Sequence, residues 1–164
     1  DELLERSMVI SSFGKTFHTT GWKVGYCVAK EPLMTEFKKV HQFLTFSTST
    51  PFQYALAAYM GDATTYLSLS NFYQQKRDFF QEQLKNTKLE LLPCSGTYFQ
   101  LASYKNISVE NDIEFAKRIT KEIGVASVPI SVFFNSKRDD KVLRFCFAKE
   151  EKELEAAVER LRRL

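Results

Sequence analysis

The sequence predicts an α/β chain in two zones, with strands and helices up to about residue 62 and a compact α+β unit after about residue 88. Three observations predict it. Two apolar runs, Met8–Ser11 and about Trp22–Val28, read as strands and are followed by helical spacing. After Leu89 that spacing gives way to short strand-like runs broken by Pro93-Cys94-Ser95-Gly96. The 164 residues are 44% hydrophobic and rich in aromatics, enough for a buried core and unlike a disordered chain.

The elements follow in order. Met8–Ser11 reads as a short buried strand, the Ser-Phe-Gly-Lys stretch as a loop, and about Trp22–Val28 as a second strand punctuated by Gly21 and Gly25. Leu33, Phe37, Val40 and Leu44 recur at steps of three and four, which predicts a helix. Thr50 and Pro51 read as N-cap and first helical position of another. A long helix is expected from about Ala63 to Lys85, with Tyr66, Leu69, Tyr73, Phe80 and Leu84 as its apolar stripe. Leu89–Leu92 and Tyr98–Leu101 read as strands. A helix from about Val109 to Ile123 is expected to bury Val109, Ile113, Ala116, Ile119 and Ile123 and to end at Gly124. Val125–Val128 reads as a short strand, Pro129–Asp140 as a long loop and Val142–Phe147 as an alternating strand. The last helix buries Leu154, Ala157, Val158 and Leu161; its acidic first turn and basic end suit the macrodipole.

Composition excludes several function classes. The net charge of +3 and the absence of a basic run give no electrostatic footprint for nucleic acid or a membrane surface. Cys27, Cys94 and Cys146 are odd in number and far apart, which argues against a disulfide framework or a metal site and for a reducing, cytoplasmic setting. No apolar stretch is long enough to span a bilayer.

The informative segment is Ser12-Phe13-Gly14-Lys15-Thr16-Phe17-His18-Thr19-Thr20-Gly21-Trp22-Lys23-Val24-Gly25. A lysine just past a strand end, among small residues, can approach a ligand closely, and Lys23 starts the next strand eight positions on. If the loop reverses the chain, the two ammonium groups converge and suit an anion such as phosphate. The residues alone fit equally a pair of solvated surface lysines. Near the other end, Arg144 interrupts the apolar strand Val142-Leu143-Arg144-Phe145-Cys146-Phe147, on the face of Val142 and Cys146. A buried guanidinium needs a partner, either a ligand carboxylate held bidentately or a local acid such as Asp139.

The lysine segment resembles the cofactor-lysine signature of class I and II aminotransferases of fold type I, most closely the kynurenine, glutamine and methionine aminotransferase branch with its G-K-T-F-x-x-T-G-W-K-V-G run. The resemblance covers the whole chain. It implies a fold comprising the end of the large cofactor-binding domain (1–62), a bridging long helix (63–88) and the small C-terminal α+β domain (89–164). It implies pyridoxal 5'-phosphate as cofactor, with Lys15 as the Schiff-base and proton-shuttling lysine and with Ser12 and Lys23 on the cofactor phosphate. The wider superfamily usually has Arg where Lys23 stands; Lys offers a point charge in place of a fork. The strand of Arg144 resembles the family strand whose arginine grips the substrate α-carboxylate.

Gly96-Thr97-Tyr98-Phe99 is similar to the family's turn into a small-domain strand, and Val128-Pro129-Ile130-Ser131-Val132-Phe133 to a loop near the substrate side chain. The Phe46-Ser47 region matches one that reaches into a partner's site, although several relatives have His at the position of Ser47. His18 and His41 read as structural or exposed. The implied activity is ping-pong transfer of an amino group from a methionine, glutamine, aromatic or kynurenine-like amino acid to a 2-oxo acid, in a homodimer without nucleic-acid or membrane partners. Cysteine-conjugate β-elimination and a non-catalytic domain descended from such enzymes are the rival readings. The family's glycine-rich phosphate turn, its ring-stacking aromatic and the acid for the pyridine nitrogen are not found in this sequence, so the 164-residue chain is expected to be truncated and inactive alone.

Overall fold

In the computed structural model, which describes residues 2–164, the chain separates into two units, Asp1–Leu69 and Ser70–Leu164. The first begins with a single helical turn, α1 (Glu2–Glu5), followed by an antiparallel ribbon of β1 (Met8–Ser12) and β2 (Gly25–Ala29). The ladder pairs Met8 with Ala29 at one end and Ser12 with Gly25 at the other. Between the strands lie α2 (Phe13–Thr16) and a 3-10 turn, Thr20–Trp22. Helices α3 (Leu33–Leu44), α4 (Thr50–Tyr59) and α5 (Thr64–Leu67) complete the unit. Its buried cluster is small: Phe17, Val24 and Leu56, flanked by Phe13, Trp22 and Phe52.

Several expectations for this unit are corrected. The strand at Met8–Ser11 exists but is not buried: Ile10 is 75% exposed. Among the described residues this two-stranded ribbon has no neighbouring strand, and its apolar residues stay largely uncovered. The second strand starts at Gly25 rather than Trp22, because residues 20–22 close a 3-10 turn and Lys23 takes a left-handed conformation (φ 56°). Ser49, not Thr50, is the N-cap of α4; Thr50 and Pro51 are its first two residues, where proline's missing N–H costs no helical bond. The stripe of α3 faces outward over much of its length, with Phe43 and Leu44 strongly exposed. The single long helix expected from Ala63 is two helices, α5 and α6 (Leu69–Leu84), separated at Ser68, whose hydroxyl bonds back to the Thr64 carbonyl (2.8 Å).

The second unit is an antiparallel sheet in the order β3-β4-β6-β5, formed by Glu90–Leu91, Phe99–Ser103, Val142–Cys146 and Val128–Pro129. The long central ladder pairs Phe99 with Cys146 and Ser103 with Val142. Most of α6, with α7 (Asp112–Arg118) and α8 (Glu151–Leu161), joins the sheet in one core containing Phe80, Leu84, Tyr104, Phe115, Ile119, Leu143, Phe145, Phe147, Leu154 and Val158. Along β6 the pleat sends Leu143 and Phe145 into that core and leaves Arg144 and Cys146 on the other face.

Two capping features bracket α7. Asn111 accepts the Glu114 N–H (3.0 Å), so the helix starts there and not at Val109, which stays 94% exposed; Ile113 is also exposed. The helix widens into a π turn, Ile119–Ile123, and ends at Gly124 (φ 74°), a conformation that glycine adopts without steric cost. The long loop after Pro129 contains a 3-10 turn, Ser131–Phe133.

Candidate functional site

The lysine segment is the closed end of the β1–β2 hairpin. Ser12 ends β1 and precedes α2, Lys15 lies within that one-turn helix, and Lys23 stands two residues before Gly25, the partner of Ser12. The loop does reverse the chain, as the convergence of the two lysines requires. It is tied by backbone bonds: Phe13 N–H to Val24 O (3.2 Å), Thr19 N–H to Gly14 O (3.0 Å) and Trp22 N–H to Thr19 O (2.9 Å). Aromatic packing holds it from below. Trp22 stacks on Phe52 (4.5 Å between centroids), and Phe17 meets Phe13 at 6.0 Å and Tyr59 edge-on at 5.3 Å. With Phe17 and Val24 turned inward, the alternation of the segment leaves Lys15 and Lys23 exposed.

The donor set is uncommitted. Among the described residues neither Lys15 nor Lys23 enters an ion pair, and the Ser12 hydroxyl makes no hydrogen bond. A Cβ on Gly14 would lie 3.0 Å from Thr20 Cα and 3.2 Å from Thr19 O, so backbone packs where a side chain would stand. A Cβ on Gly25 would come within 2.5 Å of Ser11 O, which accounts for glycine opposite Ser12. The Thr19 hydroxyl is buried without a partner. An aldehyde cofactor bearing a phosphate needs an exposed primary amine, cationic and hydroxyl donors, and closely approaching backbone. These residues fit that need.

Arg144 occupies the centre of β6, opposite Leu101 on β4 and Val128 on β5. Its guanidinium lies over two aromatic rings, Phe99 (4.8 Å) and Phe133 (5.5 Å). Among the described residues it has no acidic partner and no hydrogen bond. The local-acid alternative is overturned: Asp139 is paired with Lys141 at 2.7 Å and also accepts the Lys141 N–H (2.9 Å). Burial pushes the Asp139 carboxyl up, but the Lys141 bonds outweigh it and hold the group below the usual carboxylate range. The aromatic clasp around Arg144 is not visible in the sequence. Its only signal is phenylalanine in two segments that resemble the family, 96–99 and 128–133.

The remaining candidates are plainer. His41 stacks on Phe37 (5.8 Å), and His18 adopts a left-handed backbone (φ 57°) and is exposed, consistent with structural or surface roles. Phe46 is also left-handed and strongly exposed. The three cysteines are free, and no metal-binding cluster occurs among the described residues. No helix among them is long and apolar enough to cross a membrane.

Comparison with known proteins agrees with the segment-by-segment resemblance. A methionine aminotransferase of Escherichia coli (strain K12) is 52% identical over 164 residues, covering 99% of this chain and 42% of its own length. Kynurenine–oxoglutarate transaminase 1 of Rattus norvegicus is 32% identical over 181 residues, covering 97% of this chain and 43% of its own. Among solved structures, an Escherichia coli protein with methionine aminotransferase function superposes with a TM-score of 0.94 at 52% identity, over 99% of this chain and 43% of that one. N-succinyldiaminopimelate aminotransferase of Mycobacterium tuberculosis superposes with a TM-score of 0.88 at 31% identity, again over 99% and 43%. The chain thus spans less than half the length of these relatives. The profile of the family described as aminotransferase class I and II matches residues 3–161, and the chain belongs to that family.

Proposed function

We propose that the full-length protein transfers an amino group from an amino acid with a large uncharged side chain, with methionine the first to test, to a 2-oxo acid. The family's enzymes depend on pyridoxal phosphate. In this reading the Lys15 amine holds that cofactor, while the Ser12 hydroxyl and the Lys23 ammonium hold its phosphate. Arg144 takes the substrate α-carboxylate. The observation that carries the reading is the hairpin end, which brings an exposed lysine, an unbonded hydroxyl and a second unpaired lysine onto one reversed loop.

When bound, the cofactor supplies an electron sink for charge developing at the substrate α-carbon. The chain's residues do the rest. Lys23 opposes the phosphate's negative charge as a point cation, and Ser12 donates a hydrogen bond to it. Arg144 offers its fork to the carboxylate, with its plane braced by Phe99 and Phe133. The Lys15 amine would take the proton from the substrate α-carbon and pass it on to the cofactor, which would supply the electron sink for that transfer.

The working form in this reading is a cytoplasmic homodimer, for which the exposed Phe43, Leu44 and Phe46 supply apolar surface. The 164-residue chain alone is expected to bind the cofactor weakly and to turn nothing over, since it covers 42% of its methionine aminotransferase relative. Lys15→Ala in the full-length protein tests the central assignment. Turnover should vanish, together with the visible absorbance of the lysine-bound cofactor. Undiminished turnover would refute the role of Lys15. Pyruvate and thiol released from a cysteine conjugate, with no keto-acid product from methionine, would move the assignment to β-elimination.

A further inference from the structure

The two rings on Arg144 are held in different ways. Phe99 stands on β4, in the long ladder opposite Cys146. Phe133 stands on a 3-10 turn, 61% exposed, with no ladder to hold it. What fixes that turn is Ser131, two residues earlier and 4% exposed. Its N–H donates to Oδ2 of Asp112 (2.7 Å) and its hydroxyl to Oδ1 (2.7 Å). Asp112 is the first residue of α7, 1% exposed, and forms no ion pair among the described residues. A buried carboxylate without a cation is costly. Spending both oxygens on one loop residue fixes that residue's backbone and side chain together. The turn then closes through Phe133 N–H to Ile130 O (3.0 Å) and Phe134 N–H to Ser131 O (3.1 Å). A chain of contacts therefore runs from the start of α7, through Ser131, to the ring above the guanidinium.

We propose that Phe133 is a positioning residue for Arg144 and that the Asp112–Ser131 clamp sets it, so that the 128–133 loop governs how tightly a carboxylate is gripped. The inference rests on the assignment of Arg144 to the substrate carboxylate. A guanidinium packed against aromatic rings is partly held in place and weakly hydrated, which lowers the cost of ordering it when a carboxylate arrives. Without the Phe133 ring, the fork retains its charge and loses one wall. The loss falls on binding common to ground and transition states, so KM should move and kcat should not.

The test uses the full-length holoenzyme with methionine, and methionine carboxamide as the ligand lacking a carboxylate. Phe133→Leu should raise KM for methionine about three- to tenfold, the range of a partly exposed cation–π contact, with kcat little changed. Binding of the carboxamide should not move. Phe133→Tyr should restore KM. Ser131→Ala should reproduce the rise in KM, and Ser131→Thr, which keeps the hydroxyl, should reverse most of it. Equal losses for methionine and its carboxamide, or a fall in kcat without a change in KM, would overturn the positioning role. Arg144→Gln separates the two levels of the argument. If it weakens methionine binding while Phe133→Leu and Ser131→Ala do not, only the clamp fails. If it leaves methionine binding intact, the assignment of Arg144 itself fails and the inference goes with it.

Discussion

The unit carrying Lys15 and the unit carrying Arg144 are built on different amounts of core. In Asp1–Leu69 three side chains are buried together, Phe17, Val24 and Leu56, while Ile10, Phe43, Leu44 and Tyr54 lie open. In Ser70–Leu164 a single cluster runs from Phe80 to Leu161 and includes three side chains from the strand of Arg144 and its continuation. Lys15 therefore sits on a loop tied by its own backbone bonds and a few aromatic contacts. Arg144 sits on a sheet that stabilises itself. The difference teaches that two groups serving one proposed reaction need not draw on the same source of rigidity. Amide exchange on the 164-residue chain would measure it: β4 and β6 should be far better protected than β1 and β2. Equal protection in both sheets would erase the comparison.

The largest expected effect is chemical. Lys15→Ala should lower turnover of the full-length protein by about a thousandfold or more, because in the proposed reaction one amine both holds the cofactor and moves the proton. Next is the core of the second unit. Phe115→Ala removes a fully buried ring that stacks on Tyr104 at 4.1 Å, and should cost about 3–5 kcal/mol, read as a lower denaturant midpoint. Leu56→Ala in the thinner cluster should cost less, about 2 kcal/mol, since a partly open site collapses more readily. A larger loss at Leu56 than at Phe115 would invert the contrast. Asn111→Ala deletes the cap of α7 and should cost about 1 kcal/mol.

The smallest effect is one of pH. Glu110 accepts from Arg118 Nε (2.9 Å) and from Ser108 Oγ (2.7 Å), and these bonds, Arg118 first, hold its carboxyl below the ordinary range. A lowered folded-state value means that the stabilisation is present above the unfolded carboxylate's range and is lost as pH falls through the folded one. Glu110→Gln should therefore flatten the acid side of the melting-temperature profile slightly and leave the region near neutrality almost parallel. An unchanged acid limb would show that the pair contributes nothing measurable, as exposed pairs often do.

How much of this was legible in the sequence depends on the range of the interactions involved. Gly124 as a helix end, Arg144 on an alternating strand, and Leu154 and Val158 on one helix face follow from local periods and backbone preference, and the structure agrees. The lysine loop was legible through its motif, but its internal geometry was not: the 3-10 turn at Thr20–Trp22 and the left-handed Lys23 displaced the start of β2. The exposure of Met8–Ser11 is not legible, because apolar content says what a strand would bury and not what is present to cover it. The exposure of Val109 is not legible either, because hydrophobic spacing runs beyond Asn111, whose cap bond fixes the start of the helix. The rings on Arg144 and the Asp112–Ser131 clamp join residues distant in sequence through side chains, and no local pattern encodes them.

The left-handed residues flanking the 3-10 turn carry a consequence for anyone altering this loop. His18 and Lys23 each hold a conformation that costs an L-residue about 1–2 kcal/mol relative to glycine. At Lys23 the proposed phosphate contact forbids the exchange. At His18 no such contact is assigned, so His18→Gly should relax the backbone and raise the melting temperature slightly without touching a proposed ligand group. The penalty is then a reserve of stability stored beside Lys15, open to directed evolution at one position and closed at the other.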